Sequence, residues 1–158
     1  IIITSDADEI INPLILENVD WFDGYNHYVA LQRCFYYKLN VLREENWMGP
    51  RICNWFKLNS TTVDALRQDH RNAYRMENVA WHFSFLGDAD NFKLKLASYE
   101  HTENNTDAVT SNAVEKVEKG LDPLGRGQQY TAVPIDDTYP QYIQNNQEKY
   151  SHLIKPWN

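Results

Sequence analysis

The chain opens Ile1-Ile2-Ile3-Thr4-Ser5-Asp6-Ala7-Asp8-Glu9-Ile10, a run of β-branched apolar residues that stops at three carboxylates within four positions. Such a run reads as a buried strand, and the acidic cluster as the loop at its C-terminal end. Open α/β sheets place their ligands at that end of the strands. Asp6 and Asp8 are one residue apart, so on a turn both carboxylates can reach one hard divalent cation, which takes oxygen ligands. This is the layout of a D-x-D metal site. The plain alternative is a solvated acidic turn, because an isolated D-x-D is common.

The 158 residues suffice for one domain with a real core. Aromatics reach 13%, with ten Tyr and five Trp, which suits either a thick core or stacking surfaces for sugar rings; core is the expected use of most of them. The net charge is −7 and the basic residues are scattered, so the chain lacks the footprint of a nucleic-acid binder. An acidic balance suits a protein that recruits a cation before an anionic substrate. Cys34 and Cys53 fall on predicted strands outside any C-x-x-C. They read as buried thiols, with one disulfide as the other reading. No apolar stretch is long enough to span a bilayer and no signal peptide is visible, so no membrane partner is expected of this segment. A first residue already inside a core-like strand, with no initiator Met, reads as part of a longer chain.

Asn12-Pro13 starts a short helix to about Asn18, with Asn as the cap. Asp23-Gly24 marks a turn. Strands are predicted over Tyr28 to Leu39 and over Trp47 to Phe56, the second interrupted by Gly49-Pro50. Ser60-Thr61-Thr62 caps a helix to about Gln68. Glu77 to Leu86 alternates: Val79, Trp81, Phe83 and Phe85 form one apolar face, while Ala80, His82, Ser84 and Leu86 form the other, which can face a cleft. Further helices are predicted over Ala89 to Tyr99, over Asp107 to Lys119 with Gly120 as the C′ residue, and from Tyr139-Pro140 to about Leu153. Leu121 to Pro134 reads as a loop. Strands mixed with helices give an α/β or α+β class.

Several segments resemble the family 17 glycosyltransferases, the β-1,4-mannosyl-glycoprotein 4-β-N-acetylglucosaminyltransferase family. They are Ser5-Asp6-Ala7-Asp8-Glu9-Ile10, Tyr36 to Asn40, Trp47-Met48-Gly49-Pro50, Leu66-Arg67 and Trp81-His82-Phe83-Ser84-Phe85. Beyond these come Lys95 to Ser98, His101-Thr102-Glu103, Lys119 to Asp122, Pro140-Gln141-Tyr142 and Asn146 to Lys149. The similarity runs through nearly the whole chain in order. S-D-x-D-E-I together with W-H-x-S is its most specific part. Ala80 stands where members usually carry Gly before Trp-His. Members also carry about a hundred residues ahead of the acidic motif. The chain therefore resembles the C-terminal two-thirds of one catalytic domain that begins, over 1–158, at the D-x-D strand.

The resemblance implies an α/β, GT-A-like nucleotide-sugar transferase fold without its N-terminal nucleotide-binding strands. It implies UDP-GlcNAc as donor, a mannose-containing or other glycan as acceptor, a divalent metal (Mn²⁺ or Mg²⁺), and inversion at the anomeric carbon. Asp8 is the first choice for direct metal ligation, with Asp6 as a second ligand or a ribose contact and Glu9 behind them or capping the next helix. Of the two histidines that can join such a site, His101 ranks first as ligand and His82 as a substrate contact; either can instead be structural. Inversion needs a base near the acceptor hydroxyl. Glu103 is the candidate, followed by Glu100 and Asp88. Trp81 is core or a sugar platform, Ser84, on the strand face of His82, is a further candidate substrate contact, and Lys95 or Arg126 can pair with the diphosphate. An edge exposed by missing strands predicts pairing with a second copy of the chain. No compartment follows: a microbial member would be cytoplasmic, an animal-type member Golgi-luminal.

Two other classes fit parts of the sequence. Haloacid-dehalogenase-type phosphatases also begin with an apolar strand and D-x-D, but Ile10 stands where they need a small hydroxyl residue or valine. A non-catalytic carbohydrate-binding or structural fragment is the third reading.

Overall fold

The apolar opening run forms β1 (Ile2–Thr4), which pairs antiparallel with the end of β4 (Val41–Cys53) in the register Ile2↔Cys53, Ile3↔Ile52, Thr4↔Arg51. The structure is a computed structural model and describes residues 1–17, 20, 22, 23, 26–98 and 102–157. Four further strands are β2 (Glu9–Ile11), β3 (Tyr28–Tyr36), β5 (Tyr74–Ser84) and β6 (Thr131–Ala132). The sheet order is β1-β4-β3-β5-β2, with β6 on β4. The chain is thus a mixed α/β protein. The expectation of a buried opening strand is corrected: β1 ends the sheet order, and Ile2 and Ile3 are only half-buried. A three-residue strand paired along one side covers half its surface, and β-branched residues suit that position as well as a sheet centre.

The chain divides into two compact units. Unit 1 comprises Ile1–Cys34 and Glu44–His82; unit 2 comprises Phe35–Arg43 and Phe83–Asn158.

In unit 1, the core holds Val29, Ala30, Cys34, Ile52, Cys53 and Leu66. Both cysteines are free thiols. Asn12 caps a 3-10 turn at Pro13–Leu16, shorter than the predicted helix, whose end at Asn18 lies outside the described residues, as does Gly24 of the predicted turn. β4 runs straight through Gly49-Pro50, against the predicted interruption. At Pro50 the ladder with β1 has ended, so on that side no partner awaits the missing N–H. Gly49 has a packing reason: a Cβ there would fall 2.1 Å from the Gln32 amide nitrogen. The predicted strand end at Trp55-Phe56 is instead α1 (Trp55–Asn59), because the Asn54 side chain accepts the Lys57 N–H at 2.8 Å and starts a helix. α2 (Val63–Gln68) begins as expected, with Thr62 accepting the Ala65 N–H.

In unit 2, aromatic rings form most of the core. Phe35 stacks on Phe83 at 5.3 Å, Tyr36 meets Phe85 and Tyr130 edge-on, and Phe85 packs on Phe92. α3 (Ala89–Ser98) buries Phe92 and Leu96; Tyr99, the end of the predicted helix, lies outside the described residues. The single helix predicted over Asp107 to Lys119 is two helices, α4 (Asp107–Thr110) and α5 (Ala113–Lys119). The Thr110 and Ser111 hydroxyls bond back to the Thr106 and Ala108 carbonyls, and Asn112 turns left-handed at φ 56. Side chains that compete for the backbone in this way interrupt a helix. Gly120, at φ 67, closes α5 as expected. The last predicted helix is cut to α6 (Gln141–Gln144), followed by turns and a 3-10 turn at Ser151–Leu153.

Candidate functional site

After β1 the chain turns on the Glu9 N–H bonded to the Asp6 carbonyl and returns as β2 against β5, with Glu9↔His82, Ile10↔Trp81 and Ile11↔Ala80 in register. This pairing joins the acidic loop to the Trp81-His82 segment. The Asp8 carboxylate lies 3.3 Å from His82 Nε2, and His82 Nδ1 lies 3.7 Å from Cys34 Sγ. The Trp47 ring stands 6.4 Å from the imidazole. Burial alone would lower the His82 pKa. The Asp8 carboxylate and the Cys34 sulfur outweigh it and push the imidazole up to about 9, so it is a cation at neutral pH.

Asp6 and Glu9 answer to a different cation. Arg67, in the last turn of α2, holds Asp6 Oδ2 at 2.7 Å and Glu9 Oε2 at 3.5 Å. Glu9 Oε2 also accepts the Asp6 N–H at 2.9 Å, and Glu9 Oε1 accepts from the Gln32 amide at 2.7 Å. The Glu9 side chain is 1% exposed. It braces the loop from inside and caps no helix, one of the two alternatives its position allowed. The backbone behind Arg67 is fixed by Arg51, whose buried guanidinium donates to the carbonyls of Gly49, Leu66 and Arg67.

The strand face of His82 and Ser84 is one that the alternation allows to line a cleft. In the structure Ala80 and Ser84 are buried, and the largely covered His82 side chain lies between Asp8 and Cys34. Trp81 is buried, which selects core over a sugar platform.

In unit 2, Lys95 Nζ donates to Ser84 Oγ at 2.7 Å and lies 4.8 Å from the Phe85 ring centroid. Arg126 is held by Asp122 through its side chain at 2.8 and 2.6 Å and through its backbone N–H. Burial opposes ionisation of Asp122, but the Arg126 contacts and the Tyr130 hydroxyl hold its carboxyl at about 2. Glu103 is exposed on a 3-10 turn, Thr102–Asn104. The Asp88 carboxylate accepts the N–H groups of Asp90 and Asn91 and so caps α3. His101 and Glu100 lie outside the described residues.

Among the described residues, no group of three or more His, Cys, Asp and Glu forms a ready-made metal cluster, and no helix is long and apolar enough to cross a membrane. Three contributors to the site had no sequence-derived role: Arg67, Gln32 and Cys34. A basic residue in the last turn of a short helix was the one local signal for Arg67. No family model, curated protein or solved structure matches the chain.

Proposed function

We propose that the chain is a metal-dependent inverting glycosyltransferase of GT-A-like fold resembling family 17, transferring N-acetylglucosamine from UDP-GlcNAc to a mannose-containing or other glycan. One observation supports this reading above the others. The two most specific segments of the resemblance, the acidic loop and the Trp-His strand, are distant in sequence and meet through Asp8 and His82.

The donor set suits a hard divalent cation in kind. Asp6 and Asp8 present carboxylate oxygens on side chains 59% and 28% exposed. These two residues would hold Mn²⁺ or Mg²⁺ in exchange for their contacts with Arg67 and His82. The ion would supply charge neutralisation for the departing diphosphate. The chain's own residues do the rest. His82, held on its other side by Cys34, would stay beside the loop as a contact for the bound donor. Glu9, with Gln32 and Arg67 behind it, fixes the loop that carries both carboxylates. Lys95 offers a cation to the diphosphate. Arg126, held by Asp122, is the alternative cation for the diphosphate. Glu103, exposed on its turn, is the proposed base that takes the acceptor hydroxyl proton.

The test is calorimetric titration of UDP-GlcNAc with Mn²⁺ into the full chain and into Asp8→Ala. Saturable heat from the wild type and its loss in the variant are expected. No heat from the wild type would overturn the donor site.

A further inference from the structure

Helix α1 holds two large aromatic side chains out in water: Trp55 is 62% exposed and Phe56 82%. Neighbouring exposed rings of this size mark a surface that something else covers.

The residues that follow name the cover. Asn59-Ser60-Thr61 has the N-x-T pattern that accepts an N-linked oligosaccharide. Asn59 is exposed and is the last residue of α1. Trp55 stands four positions before it and Phe56 three, the two spacings that make side chains neighbours on a helix surface. Helical side chains lean toward the N-terminus, so Asn59 lies over the turn that carries both rings. The chain then leaves the helix in a tight turn, with the Ser60 N–H on the Phe56 carbonyl and the Thr61 N–H on the Leu58 carbonyl, each at 3.2 Å. Neither the Asn59 amide nor the Thr61 hydroxyl makes a hydrogen bond among the described residues.

The other such triplet, Asn104-Asn105-Thr106, is built differently. Asn104 is half-buried with a partner, and Thr106 caps α4 by accepting the Val109 N–H on its hydroxyl.

We propose that Asn59 is an N-glycosylation site and that the first N-acetylglucosamine of its glycan lies on Phe56 and Trp55. The co-reactant is a lipid diphosphate-linked oligosaccharide. The Asn59 amide nitrogen bonds to the anomeric carbon, the bond from that carbon to the diphosphate oxygen breaks, and the displaced amide proton leaves on the lipid diphosphate. A pyranose presents a face of C–H groups, which covers aromatic rings while its hydroxyls stay in water. The site does not depend on the transferase reading.

The test directs the full chain into the secretory pathway of a eukaryotic cell line behind a cleavable signal. Mass spectrometry reads occupancy on all the chain made, retained or released. A glycan at Asn59 is expected, and its loss in Thr61→Ala. The glycan is then trimmed enzymatically to one N-acetylglucosamine, and urea denaturation is compared with Asn59→Gln. The single sugar is expected to raise the folding constant about two- to tenfold, the strength of an aromatic contact. The same comparison in a Trp55→Ser, Phe56→Ser background cancels whatever the rings contribute by themselves, and there the gain is expected to vanish. Three results would overturn the proposal: an unmodified Asn59, no gain from the sugar, or a gain of equal size without the two rings.

Discussion

His82 Nε2 stands 3.3 Å from the Asp8 carboxylate, while its other ring nitrogen faces the Cys34 sulfur at 3.7 Å. Carboxylate, imidazole and thiol thus form one partly enclosed chain of three groups from three segments: the acidic loop, β5 and β3. Nearly all of the loop's electrostatics can be checked through this chain and through the neighbouring Arg67 cluster.

The first prediction is a pH dependence. The His82 pKa rises from an ordinary 6.5 to about 9 in the folded protein. A raised folded pKa stabilises fully below 6.5 and loses its effect as pH climbs through 9, up to about 3 kcal/mol in all. Urea denaturation of the metal-free chain from pH 6 to 10 measures this. Asp8→Asn should flatten the curve, because burial then keeps the imidazole neutral. An unchanged slope in Asp8→Asn would show that another group titrates.

Arg67→Gln removes the cation facing Asp6 and the buried Glu9. Stranding an enclosed carboxylate costs about 3 kcal/mol. Adding Glu9→Gln to that variant should return part of the loss, since the stranded charge is gone. The measurement is a double-mutant cycle of denaturation midpoints. Additive losses would mean that the two side chains do not interact.

Gly49→Ala should cost about 1–3 kcal/mol, the usual penalty for forcing atoms into filled space. The clash falls on the Gln32 side chain, whose amide would leave Glu9. Gln32→Ala removes the obstacle, so Gly49→Ala in that background should be nearly neutral. A full cost in both backgrounds would place the strain elsewhere.

Asp122 gives a dependence of opposite sign. Its carboxyl is held at about 2, below the ordinary 3.8, by Arg126 and Tyr130. A depressed folded pKa stabilises above 3.8 and loses its effect as pH falls through 2. Acid unfolding of the wild type should therefore steepen across that interval. Asp122→Asn should lack this steepening and be less stable at neutral pH, because Arg126 and Tyr130 lose a buried charged acceptor.

Local chemistry was readable where partners lie within a few residues. Asn12 and Thr62 act as caps, and Gly120 closes its helix in the left-handed region. The failures were also local in origin. The hydroxyls at Thr110 and Ser111 and the left-handed Asn112 split a helix whose apolar spacing looked continuous. Periodicity reports which face is apolar and is silent on whether side chains compete for the backbone.

The candidate site divides in the same way. A strand followed by a carboxylate loop was legible from residues 1–10 alone, as was a strand carrying Trp81 and His82. The partners of those carboxylates were not. Arg67 reaches Asp6 across 61 positions, Gln32 reaches Glu9 across 23, and Cys34 reaches His82 across 48. The sequence determined which residue types stand at the loop and where strands and caps begin, because backbone sterics and short-range hydrogen bonds are set by neighbours. The tertiary structure decided that β1 is an edge strand, that β2 lies on β5, and therefore that Asp8 faces an imidazolium and Asp6 a guanidinium. Strand order is a property of the whole sheet, fixed by how apolar faces and paired backbones are best covered together.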